Sequence, residues 1–205
     1  MRTATASPSP DTSAAGGVRD QILDAASAEF AERGLGGASV RKIAARAGTT
    51  AAMINYYFGG KQALYDEVVA RAQSELLMAI TLALGEPGGE DELAPRLAGA
   101  YFDFLCDERD LPRLLLREVL DRGEALQGLA QRYLAPLRQL FEEHFGDSDA
   151  AFDGAVSIFG AVAAYFTYAP LLATLRDEDP LGAEALARRR AHVMALAALV
   201  GEQLG

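Results

Sequence analysis

Cysteine is almost missing. Cys106 is the only one in 205 residues, which excludes an internal disulfide and suits a reducing compartment, so a cytoplasmic location is expected. Histidine is nearly as scarce. His144 and His192 form neither a metal-ligand spacing nor a nucleophile–base pair, and no glycine-rich phosphate loop is present. No catalytic residue, metal ligand or cofactor site is therefore read, and an enzyme is not expected. Glu142-Glu143-His144 reads as solvated helix surface. β-branched runs and Asn-Gly turns are lacking, which argues against strands. No eighteen-residue run is free of charge and polarity, so no membrane span or membrane partner is expected. The longest apolar stretch, 155–175, is broken by Ser157, Tyr165, Thr167, Tyr168 and Pro170 and fits a buried helix. Residues 1–17, mostly Ala, Ser, Thr, Pro and Gly, lack the apolar segment of a secretory signal and read as a disordered arm.

Net charge is −10, an unpromising value for a polyanion partner until it is divided. Residues 1–70 hold seven Lys/Arg and seven Asp/Glu, leaving 12 basic and 22 acidic residues for 71–205. The excess acid lies wholly in the second part. Within the first, 33–61 carries Arg33, Arg41, Lys42, Arg46 and Lys61 and no acid. Local charge governs phosphate affinity, because the Debye length is only about 8 Å at physiological salt. An acidic chain with such a window is compatible with nucleic acid.

What the chain has in abundance is helical spacing. A first helix over 18–33 places Ile22, Ala26 and Phe30 on one stripe, with Ala25 and Glu29 beside them, and Gly34 ends it. A second spans 39–47, with Ser39 as N-cap, Val40, Ile43 and Ala44 inward, and Arg41, Lys42 and Arg46 outward. A third covers 50–58 and stops at Gly59-Gly60. A long fourth helix runs over 61–84 to the loop Glu86-Pro87-Gly88-Gly89-Glu90. Further helices are expected at 91–108, 111–122, 125–145, 149–175 and 180–204. The fold is thus all-α, with about nine helices. It divides into the arm 1–17, a three-helix domain over 18–65 and a larger domain over 66–205. Because the boundary falls inside the fourth helix, the two domains are expected to be mechanically joined.

Residues 39–61 carry the sharpest pattern: helix, glycine turn, helix. Ile43, Ala44, Ala47, Ile54 and Phe58 can pack the pair, and Gly48 permits the positive φ of the tight turn. The outer face of the third helix is then left to Thr50, Ala51, Ala52, Asn55 and Tyr56. Thr49 and Thr50 at its start suit phosphate contact. Asn55 has the donor and acceptor to read an adenine edge, and small Ala51 and Ala52 can touch thymine methyls deep in a major groove.

This stretch resembles the TetR-family signature, T-x-R-x-I-A-x-x-A-G followed by a recognition helix ending Y-[YH]-F-x-[SG]-K-x-x-L. Arg41, Ile43, Ala44, Ala47, Gly48, Tyr56, Tyr57, Phe58, Lys61 and Leu64 stand at matching places. The likeness extends upstream through Ile22-Leu23-Asp24-Ala25-Ala26 and Phe30-Ala31-Glu32-Arg33-Gly34, covering about 19–66. It implies that Ser39 and Tyr57 hold phosphates, Arg41 reaches bases or phosphate, Tyr56 braces the backbone and Lys61 pairs with a phosphate. Ser39 stands where threonine is usual, and Tyr57 where histidine is frequent. The wording Ala51-Ala52-Met53-Ile54-Asn55-Tyr56, with Leu114-Leu115-Leu116-Arg117-Glu118, is more distantly similar to a subgroup around an enteric antibiotic-sensitivity regulator.

The resemblance further implies a homodimer on palindromic double-stranded operator DNA, acting as a repressor released by a small effector in the C-terminal domain. Two half-sites one helical turn apart require a two-fold pair of recognition helices. Gly154, Ser157, Ala161, Ala164 and Tyr168, with Val193, Ala197 and Val200, are the expected dimer interface. Phe152, Val156, Phe159, Ala163 and Phe166 line a neighbouring face. Tyr101, Phe102, Leu105, Cys106, Leu116, Tyr133, Phe141, Phe159 and Tyr165 are the candidate lining of a hydrophobic effector pocket, with ordinary core as the competing reading. Ligand in this domain would tilt the fourth helix and respace the recognition helices. The rival functions are a protein-interaction module with a vestigial helix-turn-helix and a small helical enzyme.

Overall fold

The computed structural model describes residues 12–122, 135–176 and 178–203. Among them there are ten α-helices, one 3-10 turn and no strand. The helices are α1 Thr12–Gly37, α2 Val40–Arg46, α3 Ala51–Phe58, α4 Lys61–Gly85, α5 Leu93–Asp107, α6 Leu111–Arg122, α7 Ala135–Phe145, α8 Asp149–Thr167, α9 Ala169–Leu175 and α10 Ala183–Gly201, with the 3-10 turn Glu90–Glu92 before α5. The chain divides into two compact units, Met1–Val68 and Val69–Gly205, and α4 runs unbroken across the boundary.

Three expectations need correction. The helix of the first unit begins at Thr12, so residues 12–17 are helical and not part of an arm. Ala14 and Ala15 favour that extension, since alanine gives up no side-chain entropy in a helix. The segment 149–175 is two helices, α8 and α9. Tyr168 leaves helical geometry at φ −95° and ψ 7°, and Pro170, lacking an amide hydrogen, opens α9. Finally, α4 and α8 are each long and apolar enough to cross a membrane by length and composition. The sequence reading missed them because it asked for an uninterrupted run.

The core of the first unit follows from the α1 stripe. Ile22, Ala26 and Phe30 are completely buried, and the Phe30 ring meets the edge of Tyr65 at 5.1 Å. Gly34, at φ 66° and ψ 171°, kinks the C-terminal end of α1. Leu64, Val68, Ile43 and Ile54 are buried with them.

In the second unit α10 packs along α5, while α8 packs on α5, α6 and α10. Close approach of α5 and α10 is possible because residue 99 is glycine. A Cβ there would lie 3.1 Å from Arg190 Nη2 and 3.4 Å from Met194 Sδ. Arg190 donates to both carboxylate oxygens of Asp103 at 2.7 Å each, and Arg189 Nη2 donates to the Ala161 carbonyl at 2.7 Å. Phe102 and Phe166 meet at 5.3 Å in the buried interior.

Candidate nucleic-acid interface

The helix-turn-helix is assembled from a short list of buried contacts. Ile43, Ala44 and Ala47 from α2 and the turn, with Ile54 and Phe58 from α3, are buried. Gly48 sits at φ +64°, and the amide of Thr49 donates to the Ala44 carbonyl at 2.9 Å, closing the turn. A side chain at position 48 would be strained in that left-handed conformation. Thr50 caps α3: its Oγ1 accepts from the Met53 amide at 3.3 Å. Gly59, at φ 77°, ends the helix.

This packing turns Ala52, Asn55 and Tyr56 outward, with Tyr56 80% exposed. Ala51 and Tyr57 are half-buried, and the Tyr56 and Tyr57 rings meet edge to face at 5.3 Å. Thr50 is exposed and Thr49 half-buried at the start of α3. Arg41 and Lys42 project to solvent from α2. The polar and small residues expected on the outer surface thus gather on α3 and the adjoining part of α2.

Two features differ from the sequence reading. The acid-free window is not acid-free in space. Arg46 pairs with Glu32 at 3.0 Å and Arg33 with Glu29 at 3.4 Å, both acids coming from α1. Arg41 and Lys42 make no ion pair within 4.0 Å among the described residues, and they carry the exposed positive charge of α2. Ser39 occupies the N-cap of α2 without a side-chain cap bond. The buried carboxylate of Glu29 supplies a partner instead, accepting from the Ser39 amide at 3.3 Å. The signal for this was an acid lodged in the apolar stripe of α1. Lys61 is likewise engaged, donating to the carbonyls of Gly36 at 3.3 Å and Ala38 at 3.2 Å.

The family model for the bacterial regulatory proteins of the tetR family matches residues 22–68. The chain is 27% identical over 127 residues to the probable HTH-type transcriptional regulator YttP of Bacillus subtilis, covering 60% of this chain and 61% of that protein. It is 40% identical over 65 residues to the HTH-type transcriptional repressor KstR2 of Rhodococcus jostii, 32% of each chain. The matched part is thus less than two thirds of either relative's length. The structure of KstR2 of Mycobacterium tuberculosis, a ketosteroid transcriptional regulator, superposes with a TM-score of 0.69 at 18% identity, covering 88% of this chain and 92% of that one. Residues 22–68 belong to the tetR family, and the chain as a whole shares the fold of such regulators. These matches carry the family and its fold, and not the narrower enteric subgroup.

The residues expected around an effector have differing surroundings among the described residues. Phe102 and Leu105 are plain core, each 1% exposed. Tyr101 stacks on Phe159 at 5.5 Å, and burial pushes its phenol far above the ordinary range. Phe141 stacks on Phe145 within α7 at 4.5 Å. Tyr165 donates to the Pro180 carbonyl at 2.7 Å beneath Arg189, so its hydroxyl is committed to the protein. Leu116 is exposed, Cys106 half-buried, and Tyr133 lies outside the described residues. One cleft of the second unit, about 590 Å³, is lined by other residues. Its walls include Ala83, Pro87, Pro95, Met194, Asp103 and Arg190.

The expected dimer residues also part company. Val193 and Ala197 are fully buried within their own chain and cannot face a partner. Ala161 offers its carbonyl to Arg189 of the same chain, and Gly154, Ala164 and Val200 are half-buried. Ser157 and Tyr168 are exposed. The open face of α8 carries Phe152, Val156 and Phe159, with Leu199 exposed on α10. Of the small-residue stripe, Ala161 is tied to α10 of the same chain, while large apolar side chains of α8 are left outside.

Proposed function

We propose that this chain is a homodimeric transcriptional repressor that binds palindromic operator DNA through α2 and α3 and releases it when a small hydrophobic effector occupies the second unit. The observation that carries the reading is the outer surface of α3. Ala52, Asn55 and Tyr56 are exposed beside Arg41 and Lys42, while Ile54 and Phe58 hold the helix from behind. Such a helix presents small and amide side chains to base edges with cations at its flank. Ser39, whose hydroxyl makes no cap bond, and Thr49, Thr50 and Tyr57 are assigned to phosphates. Ala51, Ala52 and Asn55 are assigned to bases, Arg41 to either, and Tyr56 to the backbone. The work is assigned to the cytoplasm, where such DNA is found.

Dimerisation rests on the open apolar face of α8, since side chains such as Phe152 and Phe159 are stabilised by burial against a second copy. A hydrophobic effector is supported by the apolar and aromatic side chains of the second unit, and by the ketosteroid regulator that shares the fold. Repression is supported by the KstR2 relative. Because α4 is one helix from Lys61 to Gly85, a ligand that displaces its C-terminal half changes the setting of its first turn.

The test begins with fragments of the host genome recovered on the full-length protein. Arg41→Ala should weaken binding to a recovered duplex by about tenfold and make the salt dependence shallower by about one unit per half-site. Undiminished binding would remove α2 from the interface. The effector arm fails if every molecule shown to occupy the second unit leaves operator affinity unchanged.

A further inference from the structure

The cleft of the second unit is a trough between two helices with a loop laid along it. α5 and α10 run antiparallel: Arg190 bonds Asp103 at one end, and a Cβ at Gly201 would lie 3.2 Å from the Ala94 Cβ at the other. The end of α4 and the 3-10 turn close the side. Ala83, Pro87, Pro95, Ala100, Met194 and Ala198 supply an apolar surface, and none of the described lining residues is aromatic. Its volume, about 590 Å³, lies in the range of small-molecule sites.

The charges of the lining are unequally satisfied. Asp103 and Arg190 are spent on each other through two bonds of 2.7 Å, and Arg190 Nη1 also faces Met194 Sδ at 3.0 Å. Arg96 is half-buried and has neither hydrogen bond nor ion pair among the described residues. Its Nε is shut away from water with no partner, which is a cost to the folded chain. Beside it stand Glu86, Asp91 and Glu92, all exposed and none paired within 4.0 Å among the described residues. The loop brings the two signs together. A Cβ at Gly88 would collide with Arg96 Nη1 and stand 2.6 Å from Glu92 Oε2. One free guanidinium and the free carboxylates therefore edge an apolar floor.

A ligand of a single sign answers only half of this. An anion takes Arg96 but meets the carboxylates. A cation takes the carboxylates and leaves the guanidinium unanswered. We infer that the cleft is a ligand site for an aliphatic α-amino acid bound as its zwitterion. Its carboxylate meets Arg96, whose planar fork of donors fits two oxygens. Its ammonium meets Glu86 and Asp91, and its side chain lies on Ala100, Met194 and Ala198. An aromatic amino acid finds no ring to stack on. The site is separate from that of the hydrophobic effector proposed above, and it does not rest on DNA binding. Since Ala83 lies in the last turn of α4, an occupied cleft holds that end of the helix.

The experiment titrates the full-length protein with L-leucine by calorimetry, without DNA. Isoamylamine, which lacks the carboxylate, and isocaproate, which lacks the ammonium, are titrated beside it. Leucine should bind at least about tenfold more tightly than either. Arg96→Gln should weaken leucine by about tenfold and erase its advantage over isoamylamine. Glu86→Gln combined with Asp91→Asn should weaken leucine by about tenfold and strengthen isocaproate. A damaged fold does not produce that opposite pair of changes, so this variant decides the matter if Arg96→Gln fails to fold. The proposal is overturned if leucine does not bind, if either analogue binds as tightly, or if leucine binds both variants as it binds the unaltered protein.

Discussion

The two units treat their large apolar side chains in opposite ways. In the first, Ile22, Phe30, Ile43, Ile54 and Leu64 are all shut inside, and Tyr56 alone among its described large apolar residues is left well exposed. In the second, Met78, Leu82, Leu120, Phe152, Val156, Phe159, Leu171, Leu175 and Leu199 all lie open. The first unit is finished by its own chain, so its surface is free to be polar and specific. The second has a closed centre around Phe102, Leu105 and Val162 but an unfinished exterior. Exposed apolar patches of this kind mark contacts still to be made.

The largest expected effect tests the closed side. Phe30→Ala should cost about 3–5 kcal/mol, as should Phe102→Ala in the other unit, read by denaturant unfolding. Phe152→Ala, by contrast, should cost the isolated chain well under about 1 kcal/mol, because its side chain already lies mostly in water. A large loss there would mean that the two exteriors do not differ. Next in size is assembly. Phe152→Glu combined with Phe159→Glu should weaken self-association about a hundredfold by analytical ultracentrifugation, in line with two interface anchors. Unchanged association would place the dimer contact elsewhere.

A finer comparison uses two matched caps. Thr50 Oγ1 accepts from the Met53 amide at 3.3 Å in the first unit, and Ser148 Oγ from the Ala151 amide at 3.1 Å in the second. Either alanine substitution should cost about 1 kcal/mol of stability. Only Thr50→Ala should also weaken DNA binding, and equal effects from Ser148→Ala would erase the distinction. The smallest effect concerns Cys106. Burial, with the nearby negative charge of Asp103, holds its thiol above the ordinary value. At pH 8 its thiolate fraction is therefore reduced, and alkylation should run a few-fold slower than in the denatured chain. Equal rates would contradict that environment.

The same contrast explains what could be read in the sequence. In the first unit each element has a chemical signature: the Ile22–Ala26–Phe30 stripe, Gly48 for a positive φ, Thr50 before Ala51, and Gly59-Gly60 after Phe58. Periodicity therefore yielded the helices and their inward faces. What escaped was contact between distant residues. Nothing in local spacing placed Glu32 against Arg46, or Lys61 against Gly36 and Ala38. In the second unit the helices were legible, but their faces were not. A stripe of small residues permits close packing without saying against which helix, and Ala161, assigned to a partner, gives its carbonyl to Arg189 in α10 of the same chain. Aromatic residues identify an apolar environment, and Phe102 in the core has the same local signature as Phe159 at the surface.

The outer face of α3 has one more consequence. Ala52 and Asn55 point away from the protein, and neither supplies a buried contact to Ile54 or Phe58. Under the proposed reading, substitutions at these two positions would alter which sequence the surface recognises with little penalty to the structure that carries it, so specificity and scaffold are free to vary separately.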